Sequence, residues 1–248
     1  MSSKIVKLIA TLAIMYNIYK FLKLASRKIQ IFSALKKITK DTVEVVAILD
    51  KSGSMRHLIN DTIGGFNTYL QELQKQENQV NVTLIQFNGK CHIKYEHQPV
   101  KRCKKLTKRS YQPYGSTALN DSLGKAITNM QTYLQQISKD KQPSKISFFV
   151  STDGAENSSR RYTQEQIRKL VESCTEEKWE FLFAGANIDP QQAGQALGFQ
   201  KENIAFVEND GIGQQAMFQA MAQKQSGKFK ISSMQDIYTE NSKQIRMK

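Results

Sequence analysis

Cysteine is scarce: three residues in 248 (Cys91, Cys103 and Cys174), odd in number and irregularly spaced. That excludes a disulfide scaffold and points to a reducing compartment. Four prolines and 13 glycines exclude a collagen-like or proline-rich chain. Acidic residues are in deficit, 22 against 36 Lys plus Arg, for a net charge of +14. Phosphate-binding motifs are missing as well, with no Gly-Lys-Ser/Thr loop and no glycine-rich loop leading into a helix. The cluster Cys91, His92, His97 and Cys103 places both histidines between the cysteines, which matches no common zinc spacing. What remains is 40% apolar residues, enough to bury a sizeable core in one large domain or one domain with extensions.

The positive charge is uneven. Residues 1–40 hold nine of the basic residues and no acidic one, which leaves +5 of the +14 for the rest. Within that segment, residues 8–19 (LIATLAIMYNIY) are nearly all apolar. The window Ile5–Leu24 has the length of a spanning helix but includes Lys7, Lys20 and Lys23 near its ends. Lysines at the ends can reach the headgroups. Lys4 and Lys7 fall on one helical face while Lys20, Lys23 and Arg27 fall on the opposite one, so a single polar stripe is missing. An uncleaved membrane anchor is therefore expected ahead of a surface-lying helix or a packed one. The larger basic flank follows the apolar run, so the body should lie in the cytoplasm, at the inner face of the membrane.

From residue 41 the pattern alternates short apolar runs with amphipathic stretches. Val43–Leu49 and Ile146–Ser151 read as strands buried on both faces. Val80–Phe87, Cys91–Tyr95, Glu180–Ala184 and Ile204–Val207 read as further strands, the first two joined by an Asn88-Gly89 turn. Residues 58–75, 118–137, 164–174, 190–197 and 212–224 carry helical spacing. The fold class expected is α/β: an open, mostly parallel, doubly wound, Rossmann-like sheet with helices on both faces and one antiparallel edge strand. The domain should span 41–225, with 226–248 a polar C-terminal tail.

In such sheets the working groups sit at the carboxyl ends of strands. Those ends hold Asp50-Lys51-Ser52-Gly53-Ser54, then Gly115-Ser116-Thr117 before the long middle helix, then Thr152-Asp153-Gly154. They supply two carboxylates and several hydroxyls, a hard-oxygen set suited to Mg²⁺, with Mn²⁺ or Ca²⁺ as alternatives. Ser52 and Ser54 are two apart and point the same way in extended backbone. Hydroxyls are weak donors, so a bound cation would seek another oxygen from outside, a carboxylate above all.

These three pieces resemble the metal-ion-dependent adhesion site of von Willebrand factor type A domains. The resemblance covers roughly 41–210. It extends to Ile63-Gly64-Gly65-Phe66-Asn67, to Thr152-Asp153-Gly154-Ala155-Glu156-Asn157 and to Phe183-Ala184-Gly185-Ala186-Asn187-Ile188-Asp189. The longer strings are similar to bacterial and phage stand-alone intracellular members. The resemblance implies that Ser52, Ser54 and Thr117 ligate the metal through hydroxyls, and that Asp50 and Asp153 act directly or through water. It implies a scaffold or adaptor that captures a protein partner presenting a carboxylate.

Catalysis is not expected. Asp50 lacks the second carboxylate two residues on that an aspartyl phosphatase uses, and Ser54 with His57 reads as a helix start. Asn187, Asp189 and Glu156 are candidates for a partner-binding rim, with helix capping the competing role for Asp189. Residues 90–109 hold eight basic residues against Glu96. A soluble cytoplasmic factor with a structural metal and a nucleic-acid-binding basic face is therefore the alternative, although no recognition motif accompanies the charge.

Overall fold

The protein is described here from a computed structural model, which places residues 42–226 and 233–247, together with Lys20 and 22–24. The chain divides into two compact units, Met1–Lys40 and Asp41–Lys248. In the first, Lys20 and 22–24 are helical. The apolar run expected as an anchor lies outside the described residues. Among the described residues no helix is long and apolar enough to cross a membrane.

The second unit is built on six strands: β1 (Thr42–Asp50), β2 (Gln79–Phe87), β3 (Cys91–Pro99), β4 (Lys145–Thr152), β5 (Glu180–Gly185) and β6 (Ile204–Phe206). They lie in the order β3-β2-β1-β4-β5-β6. All neighbours are parallel except β2 and β3. Six helices join and cover them: α1 (Ile59–Gln74), α2 (Leu119–Gln136), α3 (Gln164–Glu176), α4 (Pro190–Ala196), α5 (Gly211–Gln225) and α6 (Met234–Arg246). The expected α/β architecture is the one observed.

The continuous apolar run of β1 has a direct packing cause. Val45, Ala47 and Leu49 enter the core on one face, with Phe66, Tyr69, Phe149 and Phe218. Val46 and Ile48 enter the core on the other, with Phe148, Phe183 and Leu123. Neither face meets water, so alternation with polar residues is absent. One exception is Glu44, fully buried on β1. Asn81 donates to it at 2.8 Å and the His97 ring lies 3.1 Å away, which offsets the burial of a carboxylate. His97 is itself held by stacking on Tyr133, ring centroids 3.6 Å apart. It has a left-handed φ of 46° and sits where the β2–β3 register shifts. This irregularity carries β3 to Pro99, beyond the Tyr95 end expected from sequence.

The stretch 226–248, expected to be a polar tail, contains α6. Ser233 and Asp236 form its capping box. Met234, Ile237 and Tyr238 are buried in the same core as α5. Its residues are mostly polar, so the narrow apolar stripe at i, i+3 and i+4 is easily overlooked.

The chain runs from β1 outward to β2 and β3, then returns through α2 to β4 on the other side of β1. The switch point thus falls between β1 and β4, where Leu49 pairs with Ser151. Crevices at such points open at the carboxyl ends of the strands. Asp50 and Asp153 stand there.

Candidate metal centre

Asp50 closes β1, and its carboxylate is turned back on its own loop. Oδ1 accepts the Ser52 backbone N–H at 2.6 Å. Oδ2 accepts the Thr152 hydroxyl at 2.6 Å from the end of β4. Burial at 1% exposure, with Asp153 nearby, raises the Asp50 pKa to about 6 against the pull of those hydrogen bonds. Its own carbonyl accepts the hydroxyl of buried Tyr111 at 2.5 Å.

Ser52 Oγ lies 3.0 Å from Ser54 Oγ, brought there by the 3-10 turn that begins at Gly53 rather than by the extended backbone expected from sequence. Ser54 donates to Asp153 Oδ1 at 2.6 Å. Thr117 comes from the connection before α2 and is held by Asn157, whose Oδ1 accepts the Thr117 N–H at 2.9 Å. The Asn157 N–H donates in turn to the Thr117 carbonyl at 3.0 Å. A Cβ on Gly154 would lie 3.7 Å from both Ser54 Oγ and Thr117 Oγ1. The glycine therefore keeps open the cradle where these hydroxyls meet. Hydrogen bonds run from Asp50 through Ser52 and Ser54 to Asp153, and the space beside Gly154 adjoins both Ser54 and Thr117, so the five residues expected to form the metal shell lie together.

One atom decides whether the set suits a cation. Asp153 is 3% exposed, and its Oδ2 is buried without a hydrogen-bond partner. Burial also pushes its carboxyl pKa up. An unpaired buried carboxylate oxygen is costly unless something positive meets it. Two carboxylates and three hydroxyls, with no thiolate or imidazole among them, make a donor set whose chemistry suits a hard divalent cation. Among the described residues no cluster of three or more His, Cys, Asp or Glu is placed to hold a metal.

Two of the residues expected at the rim, Glu156 and Asp189, carry hydrogen bonds that hold the fold. Glu156 accepts from the backbone N–H groups of Asn120, Ser158 and Ser159 and from the Ser159 hydroxyl, all within 2.8 Å. It fastens the loop after β4 to the start of α2. Asp189 caps α4 by accepting the Gln192 N–H at 3.0 Å. Asn187 is exposed and occupies a left-handed turn, φ 54°. Four residues support the site in a role that the sequence did not give them. Thr152 had a signal, its place beside Asp153, whereas Tyr111, Asn157 and Asn88 reach the site only through the fold. Asn88 ties the loops by donating from its side chain to the Tyr114 carbonyl and by accepting the Ala118 N–H at its own carbonyl.

The family model for the von Willebrand factor type A domain matches residues 44–220. No curated protein matches the chain. Solved structures share the fold at low identity. The manganese-loaded TRAP protein of Plasmodium vivax is 15% identical, covers 68% of this chain and 69% of its own, and has a TM-score of 0.51. The vWF domain of the type V pili tip protein Mfa5 from Porphyromonas gingivalis is 10% identical, with 76% and 96% covered and a TM-score of 0.58. A mussel byssus protein, proximal thread matrix protein 1, with a zinc-occupied MIDAS motif is 10% identical, with 76% and 46% covered and a TM-score of 0.54.

Proposed function

The chain belongs to the von Willebrand factor type A domain family, and from that premise we propose that it is a metal-dependent protein-binding scaffold or adaptor. The observation that carries this reading is the buried, unpartnered Asp153 Oδ2 beside three converging hydroxyls. Ser52, Ser54 and Thr117 would hold the cation through hydroxyls, with Asp50 and Asp153 bonded directly or through water. Mg²⁺ is the ion proposed, on the hardness of the donors. Bound there, it supplies an electron-poor Lewis-acid position that accepts a carboxylate from an acidic side chain of the partner.

The protein's own residues set the rest. Asp50 spends its oxygens on Ser52 and Thr152, so it orients the loop as much as it offers charge. Tyr111 and Asn157 fix the carbonyl of Asp50 and the backbone of Thr117. The domain is proposed to work in the cytoplasm, anchored at the inner membrane face by residues 1–40, on the strength of their apolar and basic sequence. Capture of an immobilised aspartate-bearing peptide tests the reading. It should need Mg²⁺, and Thr117→Ala should weaken it as much as EDTA does. Capture that tolerates both would place the interface elsewhere on the domain.

A further inference from the structure

A cleft of about 480 Å³ opens between the loop after β4, the start of α2 and α4. Its apolar lining comes from Leu119, Phe183, Ile188, Ala193, Ala196 and Leu197. Leu119, Phe183 and Leu197 are buried, whereas Ile188, Ala193 and Ala196 are half-buried. Ala193 and Ala196 are three apart and so neighbours on one face of α4. They offer only methyl groups there, where longer side chains would fill the space. Gly154 lines the cleft as well. A Cβ on it would lie 3.7 Å from the Ser54 and Thr117 hydroxyl oxygens, so the cleft and the metal cradle meet at this residue.

We propose that this cleft receives an apolar side chain of the partner, next in sequence to the acidic residue whose carboxylate meets the metal. The proposal rests on the metal-bridged reading above and narrows the partner to a segment that pairs an acid with a leucine-like neighbour. Three observations select that occupant. The cleft is continuous with the metal cradle through Gly154. Its charge disfavours a second acid: among the described residues no Lys or Arg lines it, while Glu156 and Asp189 do. Asn120 also lines it, is 6% exposed, and has an Oδ1 without a hydrogen-bond partner. A buried acceptor left open is costly. A backbone N–H beside the inserted side chain would satisfy it.

A basic side chain would find little free carboxylate in the cleft. Glu156 is held by four donors within 2.8 Å, and Asp189 spends Oδ1 on the Gln192 N–H. The floor of Leu119, Phe183 and Leu197 offers a charged group no partner.

The test uses the full chain, labelled peptides and fluorescence anisotropy with Mg²⁺. The peptides share one aspartate and differ in the residues on either side of it: glycine, leucine, lysine or further aspartate. Wild type should bind the leucine peptide about tenfold more tightly than the glycine one, as one partly buried apolar side chain provides. Ala193→Leu, which fills the cleft, should abolish that preference, and Ile188→Ala, which strips its wall, should weaken it. Mn²⁺ binding is measured on both variants, so loss of fold or metal is separated from loss of the cleft. Leucine-dependent binding that survives EDTA and falls in the variants would retain the cleft and sink the metal-bridged reading. Metal-dependent binding with no preference for leucine, or a preference untouched in variants that bind Mn²⁺, would overturn the cleft. Tightest binding by the lysine or the further-aspartate peptide would assign the neighbouring contact to charge and overturn the apolar occupant. Self-association of the free chain in sedimentation velocity, abolished by Ala193→Leu, would assign the cleft to a second copy and overturn the partner segment.

Discussion

Asp50→Asn should make the metal-free protein more stable while destroying its response to metal. The wild-type carboxyl is buried and its pKa is raised from 3.8 to about 6. A carboxyl raised on folding favours the protonated native state. Its contribution is fully present below the unfolded value and is lost as pH rises through the folded one. The difference of about two units corresponds to about 3 kcal/mol that ionised Asp50 costs the metal-free fold at neutral pH. Asparagine removes that cost and keeps the geometry. Its carbonyl oxygen can still accept from the Ser52 N–H. Thr152 can turn its hydroxyl to the Gly154 carbonyl, already 3.0 Å away, and receive the new amide N–H. For a unit the size of Asp41–Lys248, the gain should raise the melting temperature by about 6–12 °C. Thermal melts by circular dichroism in EDTA at pH 7 and pH 4.5 provide the assay. The gap should be wide at pH 7 and shrink to about a third of that at pH 4.5, which lies between the unfolded and folded values. Mg²⁺ at about 100 times its Kd should add about 2.7 kcal/mol to wild type and nothing to the variant. A variant that melts at or below wild type in EDTA at pH 7 would refute the reasoning, because burial would then not be what strains Asp50.

Further outcomes follow from other parts of the chain. Ile237→Ala in α6 should cost about 2–5 kcal/mol, as expected for a side chain 4% exposed against α5; a urea titration with an unchanged midpoint would show that α6 is dispensable. Full-length protein should sediment with membranes and resist release by high salt, because apolar burial of residues 5–24 would hold it, whereas a truncation starting at Asp41 should stay in the supernatant. Full-length protein in the supernatant at low salt would remove the anchor from the account.

The fold was legible where burial writes itself into composition. The unbroken apolar runs of β1 and β4 announce strands covered on both faces, and the three loop pieces at strand ends announce the oxygen cluster. Features set by distant partners were not legible. Tyr111 is 61 residues from the carbonyl it binds. Asn157 and Thr117 are 40 apart. Lys51 is 6% exposed, with its ammonium 5.4 Å from the Tyr114 ring, a neighbour that the linear sequence does not announce. Glu156 reads as a free acid, yet its oxygens are consumed by backbone N–H groups that only the folded loop brings together. α6 was hidden by its polar composition, because three buried apolar residues on one stripe suffice when a neighbouring helix supplies the rest of the contact.

The central claim is that Asp153, with its buried free oxygen, belongs to a divalent-metal shell. A Mn²⁺ titration followed by electron paramagnetic resonance, on full-length wild type and on Asp153→Ala, tests it most directly. Wild type should bind one ion with a Kd on the order of 10⁻⁴ to 10⁻³ M, the weak range for a site with few charged ligands. The variant should bind none while keeping its far-ultraviolet circular dichroism. Equal binding by the two proteins would contradict the account.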